Sequence, residues 1–124
     1  MSERIEHAWG ASHLLGNYGS SAIYSFGGLA GGASSFHLHE HKANVFVVLD
    51  GILELDVDRA KRRLYTGQSF TVPIGVGHRM TFVTDVVGLE IYYTLKGDEI
   101  DPKDIIRLEP GWTPDGKKYQ QWQA

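Results

Sequence analysis

The sequence contains no cysteine, which excludes disulfide bonds, thiolate metal sites and a cysteine nucleophile. Any metal ion bound to this chain must therefore use histidine, carboxylate or amide ligands. No apolar run approaches the roughly 18 residues of a membrane-spanning helix, and the first residues, MSERIEHAWG, lack the basic and apolar regions of a signal peptide. These absences predict a cytoplasmic protein that has no membrane partner.

Positive charge is also scarce, because 12 Lys and Arg residues face 15 Asp and Glu residues, for a formal net charge of -3 at pH 7. Four of the basic residues, Arg59, Lys61, Arg62 and Arg63, lie in one short run, but the net charge of the chain is negative. Nucleic-acid-binding domains usually have a strongly basic balance, so we expect no nucleic-acid partner. The length of 124 residues predicts one domain spanning residues 1–124, and the hydrophobic fraction of 42% is typical of a globular protein.

The apolar residues that are present alternate with polar ones, with a period of two rather than 3.6. The alternating segments are SAIYSF, NVFVVL, ILELDV, SFTV, HRMTFV and VGLEIYYTL. Glycine, proline or aspartate separates them, which predicts about eight or nine short strands in an all-β sandwich or barrel. Asp50 and Gly51 lie between two apolar runs and predict a tight hairpin turn.

Histidine is concentrated in one place, where His37, His39 and His41 occupy alternate positions. Alternate side chains of a strand point to the same face, so His37 and His39 can converge on one ion. Neutral imidazoles hold divalent transition metals without help from thiolates. His7 and His13 belong to no such pattern, and we interpret them as ordinary surface or core residues.

Two glycine-containing motifs surround the candidate ligands. Residues 31–39 read G-x5-H-x-H, and residues 67–78 read G-x5-P-x-G-x2-H. From about residue 20 to residue 95 the chain therefore resembles a single-domain cupin. The resemblance implies a small antiparallel β-barrel of the jelly-roll type, in which the two motifs face each other and His37, His39 and His78 bind a divalent metal ion.

One position departs from the cupin pattern, because the resemblance places a glutamate ligand where this chain has Asn44. An asparagine carbonyl can coordinate a metal ion but brings no charge. Asn44 is therefore a candidate fourth ligand of a neutral site, which suits a hard ion such as Mn²⁺ less well. Glu40 and His41 are alternative fourth ligands if their loop bends back, although we expect both on the barrel rim. The candidate metals are Zn, Mn, Fe, Ni, Cu and Co.

A closer resemblance covers the flanking segments HAWG, HEHKANVFVVLDG and GLEIYYTLKGDEIDPKDIIRLEPGW. Together they are similar to the cupin domain of type II mannose-6-phosphate isomerases. That family has glutamine at the position of His37 and glutamate at the position of Asn44, whereas the positions of His39 and His78 agree. The resemblance implies aldose-ketose isomerisation and places Arg107 near the substrate.

Isomerisation through an enediol needs a base for the C2 proton and an electrophile, such as a metal ion, for the carbonyl oxygen. Glu90 is the first candidate for the base, because strand parity places it on the face of Tyr92, and His41 is the second. The alternative interpretation of Glu90 is a buried carboxylate paired with an arginine. The candidate cations for a phosphate group are Lys42, Arg79 and Arg107.

The sequence therefore predicts a metal-binding cupin that acts on a sugar, a sugar phosphate or another small polar molecule, with isomerase or epimerase chemistry as the first hypothesis. Two alternatives stay open, namely a binding module without catalysis and an oxygenase that uses three histidines. We also expect a homodimer, because aromatic residues are enriched at interfaces and Trp112, Tyr119 and Trp122 lie in a polar C-terminal tail. The N-terminal segment or this tail would cross to the partner.

Overall fold

Thirteen β-strands make up the regular structure of residues 4–119, the part of the chain that the computed structural model describes. In chain order they are β1 (Arg4–His7), β2 (Gly10–Asn17), β3 (Ser21–Gly28), β4 (Phe36–Leu38), β5 (Ala43–Asp50), β6 (Ile52–Val57), β7 (Ala60–Tyr65), β8 (Ser69–Val72), β9 (His78–Phe82), β10 (Val86–Tyr93), β11 (Ile106–Glu109), β12 (Gly111–Trp112) and β13 (Lys118–Tyr119). Within these residues there is no helix that could cross a membrane. The all-β prediction is confirmed. The strands in excess of eight or nine are short, such as β12 and β13 with 2 residues each, and carry no alternating pattern.

The strands form two main sheets with antiparallel pairing throughout. One sheet has six strands in the order β1-β2-β3-β10-β5-β8, and the other has five in the order β11-β4-β9-β6-β7. The chain crosses from one sheet to the other between β3 and β4, again between β4 and β5, and again between β5 and β6. Such repeated crossing is the connectivity of a jelly roll, as predicted.

The hydrophobic core lies between the two sheets. Leu53 and Leu55 of β6 point inward and are fully buried, and they pack in one cluster with Phe82 of the same sheet and Phe46 of the other. Full burial of such a side chain stabilises the fold by about 1.5–3 kcal/mol. The ring of Phe46 also lies 5.9 Å from the ring of His78. The apolar core therefore borders directly on the predicted metal ligands.

The Asp50-Gly51 turn does not form the predicted hairpin. β5 pairs with β10 and β8, whereas β6 pairs with β7 and β9. The turn therefore carries the chain from one sheet to the other. Gly51 has a φ of 107°, and a Cβ atom there would lie 2.3 Å from the carbonyl oxygen of Asp85. Only glycine fits this crossing.

The described aromatic residues near the C-terminus pack on their own chain. The ring of Trp112 lies 4.8 Å from the guanidinium group of Arg79, and the hydroxyl group of Tyr119 donates a hydrogen bond to the carbonyl oxygen of Ala33 at 2.7 Å. Trp122 lies outside the described residues. These contacts weaken the sequence argument for a homodimer, which stays a prediction.

Candidate metal centre

Three histidine side chains converge at the ends of β4 and β9. His37 lies within β4 and pairs directly with His78, the first residue of β9. The ring centroids are 4.6 Å apart for His37 and His78, 5.1 Å for His37 and His39, and 5.3 Å for His39 and His78. One nitrogen atom of each ring lies within 4.8 Å of the others. The structure thus brings together the residues that the two sequence motifs indicate.

A backbone carbonyl group fixes the orientation of each ring. The Nδ1 atoms donate three hydrogen bonds, from His37 to Ser35 at 2.9 Å, from His39 to Asp104 at 2.7 Å and from His78 to Val76 at 3.0 Å. Since a carbonyl oxygen can only accept, each Nδ1 carries the hydrogen and each Nε2 has a free lone pair. The Nε2 atoms of His39 and His78 are buried without a hydrogen-bond partner among the described residues.

Burial keeps the three imidazoles in the neutral form. It lowers the pKa of His39 to about 4, lowers that of His37 well below its ordinary value, and lowers that of His78 in the same direction. A neutral imidazole is the form that binds a metal ion. A buried lone pair without a partner is costly, and one divalent ion would satisfy all three nitrogens at once. The donor set therefore fits a divalent transition metal.

Asn44 is bound to a different partner. Its side chain is buried in β5, and its Nδ2 donates a hydrogen bond to Oε2 of Glu90 at 3.1 Å. Its Oδ1 is buried without a hydrogen-bond partner in the described part of the chain. The amide is thus oriented by Glu90, and its predicted role as a fourth ligand stays a prediction. The cluster of possible metal ligands that the structure defines consists of the three histidines.

A cavity of about 320 Å³ lies next to the histidine cluster, between the two sheets. Its polar lining includes His37, His39, Lys42, Glu90 and Arg107. His37 comes from the five-stranded sheet and Glu90 from the six-stranded sheet. A ligand in the cavity would therefore lie between the candidate metal ligands and the candidate base.

Glu90 faces the cavity from β10, together with Tyr92 two residues later. The Tyr92 hydroxyl group donates a hydrogen bond to Oε2 of Glu90 at 2.7 Å, and burial raises the pKa of Glu90. The ring of Tyr92 lies 5.5 Å from the ring of His39. The partners of this carboxyl group are a tyrosine and the amide of Asn44, rather than the arginine of the alternative interpretation.

The three candidate cations have different environments. Lys42 lines the cavity, but its Nζ donates to a backbone carbonyl oxygen at 2.9 Å and lies 4.5 Å from the centre of the Tyr92 ring. Arg107 also lines the cavity, and its Nε is buried without a partner among residues 4–119. Arg79 is held by two backbone carbonyl oxygens at 2.8 and 3.1 Å, outside the cavity lining.

His41 and Glu40 lie on the rim with exposed side chains. Their backbone N–H groups donate to the carboxylate of Asp104 at 2.9 and 2.8 Å. His41 is not among the residues that line the cavity, and its roles as a second candidate base and as a fourth ligand stay predictions. β4 ends at Leu38, and the alternation of histidines fails after His39, which is buried, because His41 is exposed.

Asp104 is a buried residue that the sequence analysis missed, and it fixes the loop that carries His39. Its carboxylate accepts two backbone hydrogen bonds, and its carbonyl oxygen accepts the one from His39. We expect Asp104→Asn to lower the free energy of unfolding by about 1–3 kcal/mol, because an amide can replace only one of the two acceptors. Zinc affinity should fall by about 10- to 100-fold, as for other outer partners of metal ligands.

Chemical denaturation and zinc titration measure both effects. The matched control is Asp98→Asn, because Asp98 is an exposed aspartate of the same segment. Equal behaviour of the two variants would contradict the role given to Asp104.

His7 also lines the cavity, although the sequence analysis interpreted it as an ordinary residue. It ends β1, its ring stacks on Trp9 with centroids 4.4 Å apart, and its Nε2 is hydrogen-bonded to the hydroxyl group of Ser12 at 2.8 Å. Burial lowers its pKa to about 4. The only sequence signal was its place in HAWG, since no local spacing predicts that the first strand reaches a cavity built from distant motifs.

We expect the metal-free protein to lose stability as the pH falls from about 6.5 to about 4. In that interval the unfolded chain protonates His7, whose ordinary pKa is 6.5, while the folded chain with a pKa of about 4 does not. The unfolded state then binds more protons, so stability falls by up to about 1.4 kcal/mol per pH unit for each such histidine. Urea unfolding at several pH values should show that the free energy of unfolding depends less steeply on pH in His7→Gln than in the parent protein. An equally steep pH dependence would contradict the lowered pKa of His7.

Comparison with known families matches the model described as "Cupin domain" to residues 29–95. A curated relative, mannose-1-phosphate guanylyltransferase from Escherichia coli, is 32% identical over 79 residues, which are 64% of this chain. The enzyme of the same name from Klebsiella pneumoniae matches to the same extent. The chain spans only 17% of the length of these curated relatives.

Solved structures share the fold at low sequence identity. KdgF from Halomonas sp. has a TM-score of 0.70 at 17% identity, over 76% of this chain and 87% of that chain. Oxalate decarboxylase from Bacillus subtilis has a TM-score of 0.73 at 11% identity, over 86% of this chain and 30% of that chain. These similarities concern the fold alone. The family model matches more than half of the residues of this chain, and the chain has the jelly-roll topology and the two facing motifs. The chain therefore belongs to the cupin family.

Proposed function

We propose that this chain is a metal-dependent enzyme that moves a proton at the carbon next to a carbonyl group of a sugar or another small polar ligand, the chemistry that an aldose-ketose isomerase performs on sugars. The observation that carries the proposal is the placement of the Glu90 carboxyl group across one cavity from His37 and His39, two members of the three-histidine cluster. A bound divalent ion would supply a Lewis acid that polarises the carbonyl group. His37, His39 and His78 would hold it through Nε2.

Glu90 is the group of this chain that accepts the proton. Tyr92 and Asn44 both donate to Oε2, which leaves Oε1 for the ligand. Burial raises the pKa of the carboxyl group, which brings it closer to the range in which a general base works best near neutral pH. The two hydrogen bonds also fix the carboxyl plane, so the base keeps one orientation in the cavity.

The comparisons support a sugar-like ligand without defining it. The names of the curated relatives include a phosphorylated sugar, mannose 1-phosphate. This chain matches a small part of those proteins. The resemblance of the flanking segments to mannose-6-phosphate isomerases points in the same direction.

Hydrogen exchange from deuterated water tests the proposal. Zinc- or manganese-loaded protein is incubated with mannose 6-phosphate, with free mannose and with a short 2-oxo acid, and proton NMR follows the signal of the carbon-bound hydrogen next to the carbonyl group. We expect at least one of these compounds to lose that signal in the loaded protein, and chelation with EDTA to stop the loss. If none exchanges while one of them raises the melting temperature, the chain is a binding module and the proposal is wrong.

An oxygenase is the second candidate function, and the donor set is the observation that favours it. Among residues 4–119 the cluster contains three histidines and no carboxylate, and imidazole suits iron as well as zinc. Elemental analysis of protein purified at neutral pH separates the two candidates. Iron would favour oxygen chemistry, whereas zinc, manganese or cobalt would favour proton transfer.

We also propose that the chain forms a homodimer. β11 is an edge strand, and its side chains Ile106 and Leu108 are 41% and 52% exposed. Edge strands with apolar residues are surfaces on which a second chain can pair. Light scattering should give about twice the mass of 13.8 kDa for one chain, and a mass of one chain at micromolar concentration would contradict the dimer.

A further inference from the structure

Arg107 and Lys42 are the Lys and Arg side chains of the cavity lining, and Arg107 is the one with a planar guanidinium group. Lys42, the other cation of the lining, already donates to a carbonyl oxygen and lies over the Tyr92 ring. The Nε of Arg107 is buried without a partner in the described part of the chain. A buried guanidinium N–H group without a partner is costly, and its natural partner is an anion that accepts two parallel hydrogen bonds.

Strand pairing places this anion site beside the histidine cluster. β4 lies between β11 and β9, and His37 pairs with Arg107 on one side and with His78 on the other. Side chains of directly opposed residues share one face of the sheet and lie about 5 Å apart at Cβ. Arg107 and the candidate ligand His37 are thus neighbours on one face of the sheet, so an anionic group bound to Arg107 would lie beside a ligand atom held at the three histidines.

This separation distinguishes between anions. In a hexose 6-phosphate the phosphate group is at the opposite end of the carbon chain from the carbonyl group. A carboxylate on the carbon next to the carbonyl or hydroxyl group satisfies this short distance.

The walls of the cavity fit a compact ligand with an apolar part. Trp9, Phe46, Met80 and Ile105 contribute apolar surface. The serine hydroxyl groups of the lining are engaged within the protein, for example Ser12 with His7 at 2.8 Å. The volume of about 320 Å³ is close to the lower limit of ligand cavities, about 300 Å³.

We propose that the ligand of this cavity is a small monocarboxylate with a carbonyl or hydroxyl oxygen on the adjacent carbon and a short apolar chain, and that Arg107 binds its carboxylate. The inference rests on the metal site and the proton transfer of the proposed function, and it names a substrate class, a small carboxylic acid, that differs from the sugar-like ligand that the comparisons support. It makes Arg107 the residue that determines specificity for a carboxylate over a phosphate.

Calorimetric titration tests the inference in two stages. Zinc is titrated first, and failure to bind zinc contradicts the proposed function. The zinc-loaded protein is then titrated with 4-methyl-2-oxopentanoate, with its uncharged methyl ester and with mannose 6-phosphate. We expect the acid to bind at least about 10-fold more tightly than either of the other two, because only the acid offers a carboxylate next to the carbonyl group.

Two variants assign the preference to Arg107. Arg107→Gln should reduce the affinity for the acid at least about 10-fold and leave zinc affinity unchanged. Arg107→Lys keeps the charge but not the paired hydrogen bonds, so its affinity for the acid should lie between those of the parent protein and Arg107→Gln. The matched control is Arg63→Gln, because Arg63 is an exposed arginine of β7. Zinc binding without preference for the acid, or tighter binding of mannose 6-phosphate that depends on Arg107, would overturn the inference and leave the metal site standing.

Discussion

Replacing His39 by alanine is expected to reduce zinc affinity by at least about 100-fold, more than the loss of an outer partner of a metal ligand costs. The physical reason is that His39 provides one of three Nε2 lone pairs within 4.8 Å of one another, and alanine has no donor atom. Zinc titration of the purified variant measures the loss. Metal-free His39→Ala should still fold, because the substitution also removes a buried nitrogen atom that has no partner among the described residues.

His41→Ala is the matched control for this variant. His41 lies two residues further along the same segment, but its side chain is exposed on the rim. We expect its substitution to leave zinc affinity within about 2-fold of the parent, since an exposed rim residue contributes little. Equal loss of affinity in both variants would show that the ion binds at the rim rather than in the cavity.

Substituting Glu90 by glutamine is expected to slow exchange of the carbon-bound hydrogen by about 100- to 10,000-fold, the usual contribution of a positioned general base. An amide cannot accept the proton, but its oxygen can still accept the hydrogen bonds from Tyr92 and Asn44. Zinc affinity and ligand affinity should change little. Rates from NMR at saturating ligand, together with titrations, separate the two effects.

Glu54→Gln serves as the control for Glu90→Gln. Glu54 is a strand carboxylate of β6 that forms an ion pair with Arg63 at 3.6 Å, outside the cavity lining. Its substitution should leave the exchange rate unchanged. Exchange that persists at the parental rate in Glu90→Gln would assign the proton transfer to another group.

The sequence predicted those parts of the site that depend on local spacing. The alternate positions of His37 and His39 indicated that these two side chains could share one ion, and the resemblance to cupins added His78 to the cluster. Strand parity likewise indicated that Glu90 and Tyr92 share a face, and a hydrogen bond of 2.7 Å joins them. The all-β class followed from the period of two.

Other features depend on contacts between segments that are far apart, and local patterns do not encode them. The Asp50-Gly51 turn has the sequence of a hairpin, but the pairing partners of β5 and β6 decide that it joins two sheets. His7 of the first strand lines the cavity, and Asp104 of a loop near the C-terminus accepts a hydrogen bond from His39. Tertiary packing likewise decides that the Nε of Arg107 is buried without a hydrogen-bond partner among the described residues.

X-ray absorption spectroscopy of the zinc-loaded protein at neutral pH tests the central claim most directly, because it counts the imidazole ligands of the ion and measures their distances. We predict three histidine ligands with Zn–N distances of about 2.0–2.1 Å, and the loss of one of them in His39→Ala. A zinc ion with one imidazole or none, or a spectrum that His39→Ala leaves unchanged, would contradict the claim that His37, His39 and His78 form a metal site.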